Sequence, residues 1–425
     1  MRVLALVGGA LFACSSSDVT AITPPGITVP PDAGGPASES YAEGRFPLPD
    51  CPGFDYARCD IRQRPCLENL GAIARCLHGS DAALTTPDVT FWTEDEARGD
   101  LLGGLEPAPS PNHFEIALAR FGLTEPGALE PEAVATRLAR EWIAYYHHSR
   151  KEIIVIEHET RTDPLAEDSI VVHEMIHAFQ DREYDLDAFE RLYRRDVDGN
   201  LRGASLVEGE ARFHERRYFA ALIGLDIDDI DLEFSFRNLT RNAERWLFAQ
   251  SDLYSASQLS VPYAHGAEYV HGVWAQGGQA AVRASFSAPP SSMHEILATI
   301  WHTEASALTP FAAPSRPESS GIELAAWTSM GAWSLYLLAR RALADEMLGR
   351  RIALAWSGDQ LEVFTFGRAE TAARWRLRFT STEAASEFAL LLTGQRFFDS
   401  VVEGGSVTLW TSTAPLPEDL AGLGF

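Results

Sequence analysis

The sequence has few cationic residues, no long uninterrupted apolar run and no cysteine after residue 76. Lysine and arginine number 35 against 60 acidic residues, which gives a formal net charge of -25. Without a cationic surface to release phosphate counterions, nucleic acid is excluded as a partner. No internal apolar segment predicts a transmembrane helix. What remains is a chain of 425 residues with 46% hydrophobic and 22% charged residues, a composition typical of soluble globular proteins with two or three domains.

The N-terminus has the pattern of an export signal. Arg2 precedes a short apolar run, Val3–Ala13, and a cysteine follows at position 14. The string "LFAC" resembles the lipobox of bacterial lipoproteins, so residues 1–14 are predicted to be a lipoprotein signal with Cys14 acylated. An ordinary cleavable signal is the alternative. Residues 15–48, rich in Pro, Gly and Ser, are predicted to be a flexible linker holding an exported, lipid-anchored protein at the outer membrane or cell surface.

The other four cysteines lie close together in a predicted cysteine-rich segment, residues 49–80. They are Cys51, Cys59, Cys66 and Cys76. An even number of cysteines in an exported chain predicts two disulfides, with three pairings possible. A four-cysteine zinc site is the alternative, which the absence of a Cys-x-x-Cys pair disfavours.

A globular domain is predicted over residues 81–320. "PDVTFW" has the composition of a strand, and "KEIIVIEH" predicts an edge strand over Ile153–Glu157 that would bind an extended peptide by strand addition. Between them, "EPEAVATRLAREWIAYYHH" has apolar residues at helical spacing. These are Val134, Leu138, Trp142 and Tyr145.

The next segment predicts a helix that starts at Asp163, as its cap, and Pro164. Its apolar stripe consists of Leu165, Val172, Met175, Ile176 and Phe179. Polar residues are expected on a flank that faces away from the deepest core. They are His173, Glu174, His177 and Asp181.

Two of those polar residues have the spacing of metal ligands. His173 and His177 are one helical turn apart, about 6 Å, so both imidazoles can reach one ion. Glu174 projects to the side, where it can reach a water molecule instead of the ion. A helix with two surface histidines is the alternative.

A third ligand is predicted from the later amphipathic helix "SLVEGEARFHERRYFAALIGL". Its Glu208 lies among apolar residues, where a carboxylate is costly unless it is paired or metal-bound. Gly209 and Ala211 are small and would let this helix approach the first one closely. Two histidines and a glutamate with one open position form a catalytic zinc arrangement, with one zinc ion per chain. A salt bridge between Glu208 and Arg212 is the alternative.

"HEMIH" followed by "VEGEA" resembles the gluzincin class of zinc metallopeptidases. The chain is also similar, from about residue 90 to 395, to a group of uncharacterised secreted bacterial proteins assigned as metallopeptidases. The strings that carry this resemblance are "HEMIHAFQD", "SLVEGEA", "PYAHGAEYVHGVWAQGG", "PPSSMHEIL" and "LAWSGDQLEVF". It implies that His173, His177 and Glu208 are ligands and Glu174 is the general base. Some gluzincins have an aspartate four residues after the third ligand to orient a histidine.

Arg212 occupies that aspartate's position here, so Asp181 is the nearest candidate for orienting a ligand histidine. A donor for the oxyanion is also needed. Tyr263 is the first candidate and His265 the second, since both stand near a glycine in a stretch predicted to be turn-like. A core role is the alternative for Tyr263.

Residues 321–425 predict a C-terminal α+β module. "IELAAWTSMGAWSLYLLARRALADEML" is expected to be one helix, followed by strands in "LEVFTF" and "ARWRLRFT", a helix over 382–392 and two more strands. The predicted fold class is α+β: a zincin-like, mainly helical catalytic domain with a short edge-stranded sheet, plus this module. The predicted function is a zinc peptidase of the cell envelope acting on peptides or proteins. The alternative is a non-catalytic envelope lipoprotein that uses the fold for binding or structure.

Overall fold

The protein is seen in a computed structural model that describes residues 11–15, 51–80, 85–158, 164–224, 231–314, 321–343, 345–367, 369–392 and 399–416. The helices of these segments are α1 (Arg64–His78), α2 (Glu94–Gly104), α3 (His113–Arg120), α4 (Pro131–Glu141), α5 (Pro164–Tyr184), α6 (Leu186–Tyr193), α7 (Val197–Leu222), α8 (Leu232–Leu247), α9 (Leu253–Ser287), α10 (Met293–Ile300), α11 (Gly331–Leu343), α12 (Glu346–Leu354) and α13 (Thr382–Leu392). The strands are β1 (Leu11–Ser15), β2 (Asp88–Thr93), β3 (Trp142–His147), β4 (Glu152–Glu157), β5 (Ile322–Thr328), β6 (Trp356–Phe366), β7 (Glu370–Phe379), β8 (Asp399–Glu403) and β9 (Ser406–Ser412). The predicted α+β class is confirmed.

Strand β4 lies inside the first sheet, not at its edge. The strand order is β1-β3-β4-β2, with β4 antiparallel to β3 and parallel to β2. The prediction of an edge strand at Ile153–Glu157 was therefore wrong, and so was strand addition there, because both sides of β4 are already paired. The burial of the β4 side chains agrees with this central position. The residues from Ile153 to Ile156 are all buried, as expected for a strand covered on both faces.

Helix α4 is shorter than the apolar spacing predicted. It ends at Glu141, and Trp142 already has extended backbone (ψ 147°) as the first residue of β3. Trp142 and Tyr145 are buried, as expected, but on a strand. Aromatic residues suit a pleated sheet, and pairing with β4 decides the conformation over helical periodicity.

Helix α5 begins at Pro164, as predicted for its first position, whereas its proposed cap Asp163 lies outside the described residues. The described stripe residues Val172, Met175, Ile176 and Phe179 are buried. The polar flank is buried too, since His173, Glu174 and His177 are each 0% exposed. The expectation of an outward-facing flank was wrong because α1, α7 and β3 all pack on this helix.

Helices α7 and α9 approach each other through two glycines. A Cβ on Gly209 would lie 2.4 Å from the carbonyl carbon of Gly266, and one on Gly266 would lie 2.2 Å from the carbonyl oxygen of Ser205. Gly209 therefore permits close contact with α9, and not with α5 as predicted. The close packing of these two helices brings Tyr263 of α9 near Glu208 of α7.

The C-terminal segments form a second sheet with the order β5-β6-β7-β9-β8. The single helix predicted from Ile322 was wrong: β5 comes first, and α11 and α12 follow. Strands β6 and β7 and helix α13 appear where the sequence predicted them. One cluster of buried residues contains Phe114, Val207, Trp333 and Trp375, so the second sheet shares its core with the preceding helices.

The four cysteines of the N-terminal segment form two disulfides, Cys51–Cys76 and Cys59–Cys66. Their Cα atoms are 5.8 and 5.5 Å apart, which is ordinary disulfide geometry. The structure thus supports the predicted disulfides and selects one of the three pairings, and the bonds indicate an oxidising compartment. Among the described residues, no helix is long and apolar enough to cross a membrane.

Candidate metal centre

Two helices bring three potential ligand atoms to one point. The Nε2 atoms of His173 and His177 on α5 are 3.0 Å apart. The Oε2 atom of Glu208 on α7 is 3.1 Å from the first and 3.4 Å from the second. All three residues are buried, and they form the one group of this kind in the described part of the chain.

The outer nitrogens of both histidines face hydrogen-bond acceptors. Nδ1 of His173 lies 3.0 Å from Oε2 of Glu215, and Nδ1 of His177 lies 2.7 Å from Oε1 of Gln180. The Gln180 amide is oriented by its NH2 group, which donates to the Val207 carbonyl and to Glu210, both at 2.9 Å. With a proton held on each Nδ1, each Nε2 can present a lone pair to a cation.

Three lone pairs on Nε2, Nε2 and Oε2 consequently converge in a buried space. Such an arrangement is repulsive unless a metal ion or a proton lies between the atoms. Atoms bound tetrahedrally at the usual zinc distances are about 3.3 Å apart, close to the separations seen here. The donor set and its geometry thus fit a metal ion.

The electrostatics of the group also favour a positive charge. Burial lowers the pKa of the His173 imidazole, but hydrogen bonds with Glu208 and Glu215 outweigh it and raise that pKa to about 10, so a positive charge, a second proton or a metal ion, is favoured at Nε2. Burial would raise the pKa of Glu208, but the two histidines lower it. A carboxylate held ionised against burial is what a metal ligand requires.

Glu174 lies in the same interior without joining the converging group. It is 0% exposed, and neither carboxylate oxygen has a hydrogen-bond partner within the described ranges, although the backbone N–H of Tyr146 lowers its pKa slightly. Burial, followed by repulsion from Glu208, raises the pKa of Glu174 well above its usual value. A buried, unpaired carboxyl of raised pKa beside metal ligands has the properties of a proton acceptor.

The residue that orients His173 is Glu215, not the predicted Asp181. The Asp181 carboxylate accepts hydrogen bonds from the Tyr146 hydroxyl and the Lys151 ammonium group. Glu215 is held in turn by Arg212, whose Nη1 atom lies 2.6 Å from Oε1. Burial would raise the pKa of Glu215, but Arg212 first and His173 next lower it to about 2.

That ion pair also argues against the alternative given for Glu208, a salt bridge with Arg212. Arg212 pairs with Glu215, so Glu208 remains directed at the two histidines. Glu215 follows Glu208 by seven residues on α7, which is two helical turns and the same face. This spacing is the signal by which the sequence could have revealed Glu215.

The two candidates for the oxyanion donor are in the middle of α9, so the turn-like stretch predicted for them was wrong. Tyr263 is 4% exposed, and its ring stacks on His173 with 6.0 Å between ring centroids. His265 instead lies 3.3 Å from Glu244 and packs against Trp333. Of the two, Tyr263 is the one in contact with the candidate centre.

Sequence reasoning missed a second buried polar cluster behind Gln180. Glu210, 0% exposed, accepts hydrogen bonds from Gln180 and Gln279, and the imidazoles of His78 and His214 flank it at 3.7 and 3.9 Å. The cluster anchors Gln180 and hence the orientation of His177. No local pattern links α1 to α7, so only the tertiary structure brings His78 here.

A cleft gives access to the metal-binding group. It lies between α6, α7, α9 and the start of β3, has an empty volume of about 700 Å³ that includes space open to solvent, and is lined in part by Glu208 and Tyr263. The ligand carboxylate is therefore the part of the group that faces this opening.

Comparison of the chain with protein-family models, curated proteins and solved structures finds no match.

Proposed function

We propose that the protein is a zinc-dependent peptidase of the bacterial cell envelope. The observation that carries the proposal is the convergence of His173 Nε2, His177 Nε2 and Glu208 Oε2 within 3.0 to 3.4 Å, beside a buried and unpaired Glu174. The resemblance of "HEMIH" and "VEGEA" to gluzincins supports the same roles.

Zinc is the ion we favour for this donor set. Two neutral imidazoles and one carboxylate are ligands of catalytic zinc sites that leave one position open. Zinc bound there would supply a Lewis acid for the scissile carbonyl and lower the pKa of water.

The surrounding residues then have separate tasks. His173, His177 and Glu208 hold the ion, while Glu215 and Gln180 fix both imidazoles in the tautomer that presents Nε2. Glu174 takes a proton from the attacking water and delivers it to the leaving amine, for which its raised pKa is suited.

Tyr263 is the proposed donor to the oxyanion. Its ring lies against His173 and its side chain lines the cleft through which a substrate would approach.

The test combines metal content with cleavage. Purified protein should contain about one zinc per chain by elemental analysis and cleave casein or a mixed quenched-fluorescent peptide library, with activity lost on chelation and regained with zinc. Metal-free protein that does not take up zinc would contradict the metal site. Zinc-loaded protein that cleaves no peptide would instead support the non-catalytic binding module.

We further propose that Cys14 is the site of a lipid anchor at the cell envelope. The disulfides agree with export, and "LFAC" has the lipobox pattern. Cells expressing the full chain should incorporate labelled palmitate, and Cys14→Ala should not. Absence of label from both forms would leave an ordinary cleavable signal as the explanation.

A further inference from the structure

The cleft beside Glu208 has mainly apolar and aromatic walls. Helix α6 contributes Phe189 and Tyr193, and the rings of these two residues pack together with centroids 4.5 Å apart. The remaining apolar lining comes from β3, α7 and α9. It consists of Trp142, Val207, Leu259 and Pro262.

The polar side chains in the wall are already paired with one another. Arg194 forms an ion pair with Glu190, one turn away on α6. The amide of Asn200 donates to the amide oxygen of Gln258 at 3.3 Å. A charged substrate group would have to compete with this ion pair, whose side chains are only 23% and 13% exposed, and leave one of them without its counter-charge, which is costly.

Most of the free-energy cost of breaking this ion pair comes from leaving Glu190 without its counter-charge. Burial raises the pKa of Glu190 to about 7 even though Arg194 opposes the shift. This carboxyl is therefore poorly hydrated and depends on the Arg194 guanidinium. The cleft disfavours charged ligands for the same reason.

Two small residues on α7 determine the shape of the cleft. A Cβ on Gly203 would lie 2.8 Å from the Cβ of Tyr193, so the glycine lets the tyrosine lie directly against α7. Ala204 is half-buried in the lining and leaves space in front of it. A larger side chain at position 204 would fill this space, one helical turn before the ligand Glu208.

We infer that this cleft is a specificity pocket for an uncharged, bulky apolar side chain, aromatic or aliphatic, of a peptide. Its position beside Glu208 and Tyr263 places that side chain next to the bond to be hydrolysed. The assignment of cleavage rests on the proposed peptidase function, whereas binding of the side chain does not.

The test uses pairs of end-blocked peptides that differ only in one central residue, Phe or Glu. Binding is measured by calorimetry on the Glu174→Gln protein, and cleavage of the same pairs is measured on the wild type. The Phe peptide should be preferred by at least about 10- to 200-fold, since a single methylene group in an apolar pocket already gives discrimination of that size. Equal binding of the two peptides would overturn the inference.

Ala204→Phe should remove most of the preference by occupying the pocket, while zinc content and melting temperature stay unchanged. Ala284→Phe, the same change at an exposed position of α9 outside the cleft, is the matched control and should keep the preference. Ala204→Leu replaces Ala204→Phe if the latter does not fold.

The outcomes separate the two proposals. Wild-type protein that cleaves nothing, combined with a Phe preference that Ala204→Phe abolishes, would reject the peptidase and retain the pocket. Cleavage without any such preference, or a preference that survives Ala204→Phe, would reject the pocket and retain the peptidase.

Discussion

Glu174→Gln is expected to keep the metal and the fold while reducing peptide cleavage by several orders of magnitude. Glu174 lies outside the group of three converging ligand atoms, so the metal does not depend on it. Its carboxylate handles the proton in both halves of the proposed reaction, and an amide of the same shape cannot do so. No side chain among the described residues donates to this carboxylate, and the amide oxygen of glutamine can still face the backbone N–H of Tyr146.

Glu208→Gln makes the same chemical change on the ligand itself and serves as the matched comparison. An amide is a poor ligand, so this variant should lose zinc together with activity. Elemental analysis and initial rates on one peptide distinguish the patterns: metal kept with activity lost, or both lost. Cleavage that survives Glu174→Gln would show that the HExxH interpretation of "VVHEMIHAFQD" is wrong.

Removal of the metal is expected to lower the stability of the protein by several kcal/mol. Ligand binding to the native state adds about 4 kcal/mol when free zinc exceeds its dissociation constant a thousandfold. The chain also loses the cation that separates the lone pairs of His173, His177 and Glu208 in a buried space. Calorimetric melting with and without chelator measures the effect.

A graded set of variants assigns this stabilisation to named residues. His177→Ala should melt at the same temperature with or without zinc, since it has lost a ligand. Glu215→Gln should bind zinc about 10- to 100-fold more weakly, because Glu215 fixes the His173 tautomer. Asp181→Asn should leave zinc affinity unchanged, since Asp181 contacts Tyr146 and Lys151. If Asp181→Asn bound zinc as weakly as Glu215→Gln does, the assignment of Glu215 as the residue that orients His173 would be contradicted.

Much of the local structure could be predicted because it depends on neighbours in sequence. Pro164 begins α5 where its fixed φ suits a first turn. The strands β6 and β7 and the helix α13 follow from alternation and apolar spacing. The spacing of His173 and His177 on one helix brings their imidazoles within 3.0 Å once α5 forms.

Several predictions that needed long-range information were wrong, although the convergence of Glu208 with the two histidines was not among them. Ile153–Glu157 carries no local sign of being flanked on both sides, and only the pairing with β2 and β3 makes it central. Trp142 has helical spacing from Val134 and Leu138, yet pairing with β4 takes the following residues into a sheet. Asp181 was predicted to orient a ligand histidine because it is close in sequence, whereas the packing of α5 against α7 places Glu215 beside His173.

The sequence by itself determined the α+β class, the cysteine-rich segment and the helix that carries the two histidines, because propensity, capping and periodicity act over a few residues. The tertiary structure decided which disulfides form, which acid orients His173, where Tyr263 lies and that a cleft opens beside Glu208. These features depend on how helices pack, as in the contact of Gly209 with Gly266 that brings α9 to α7. Packing of this kind follows from burial over the whole chain, which no short stretch of residues encodes.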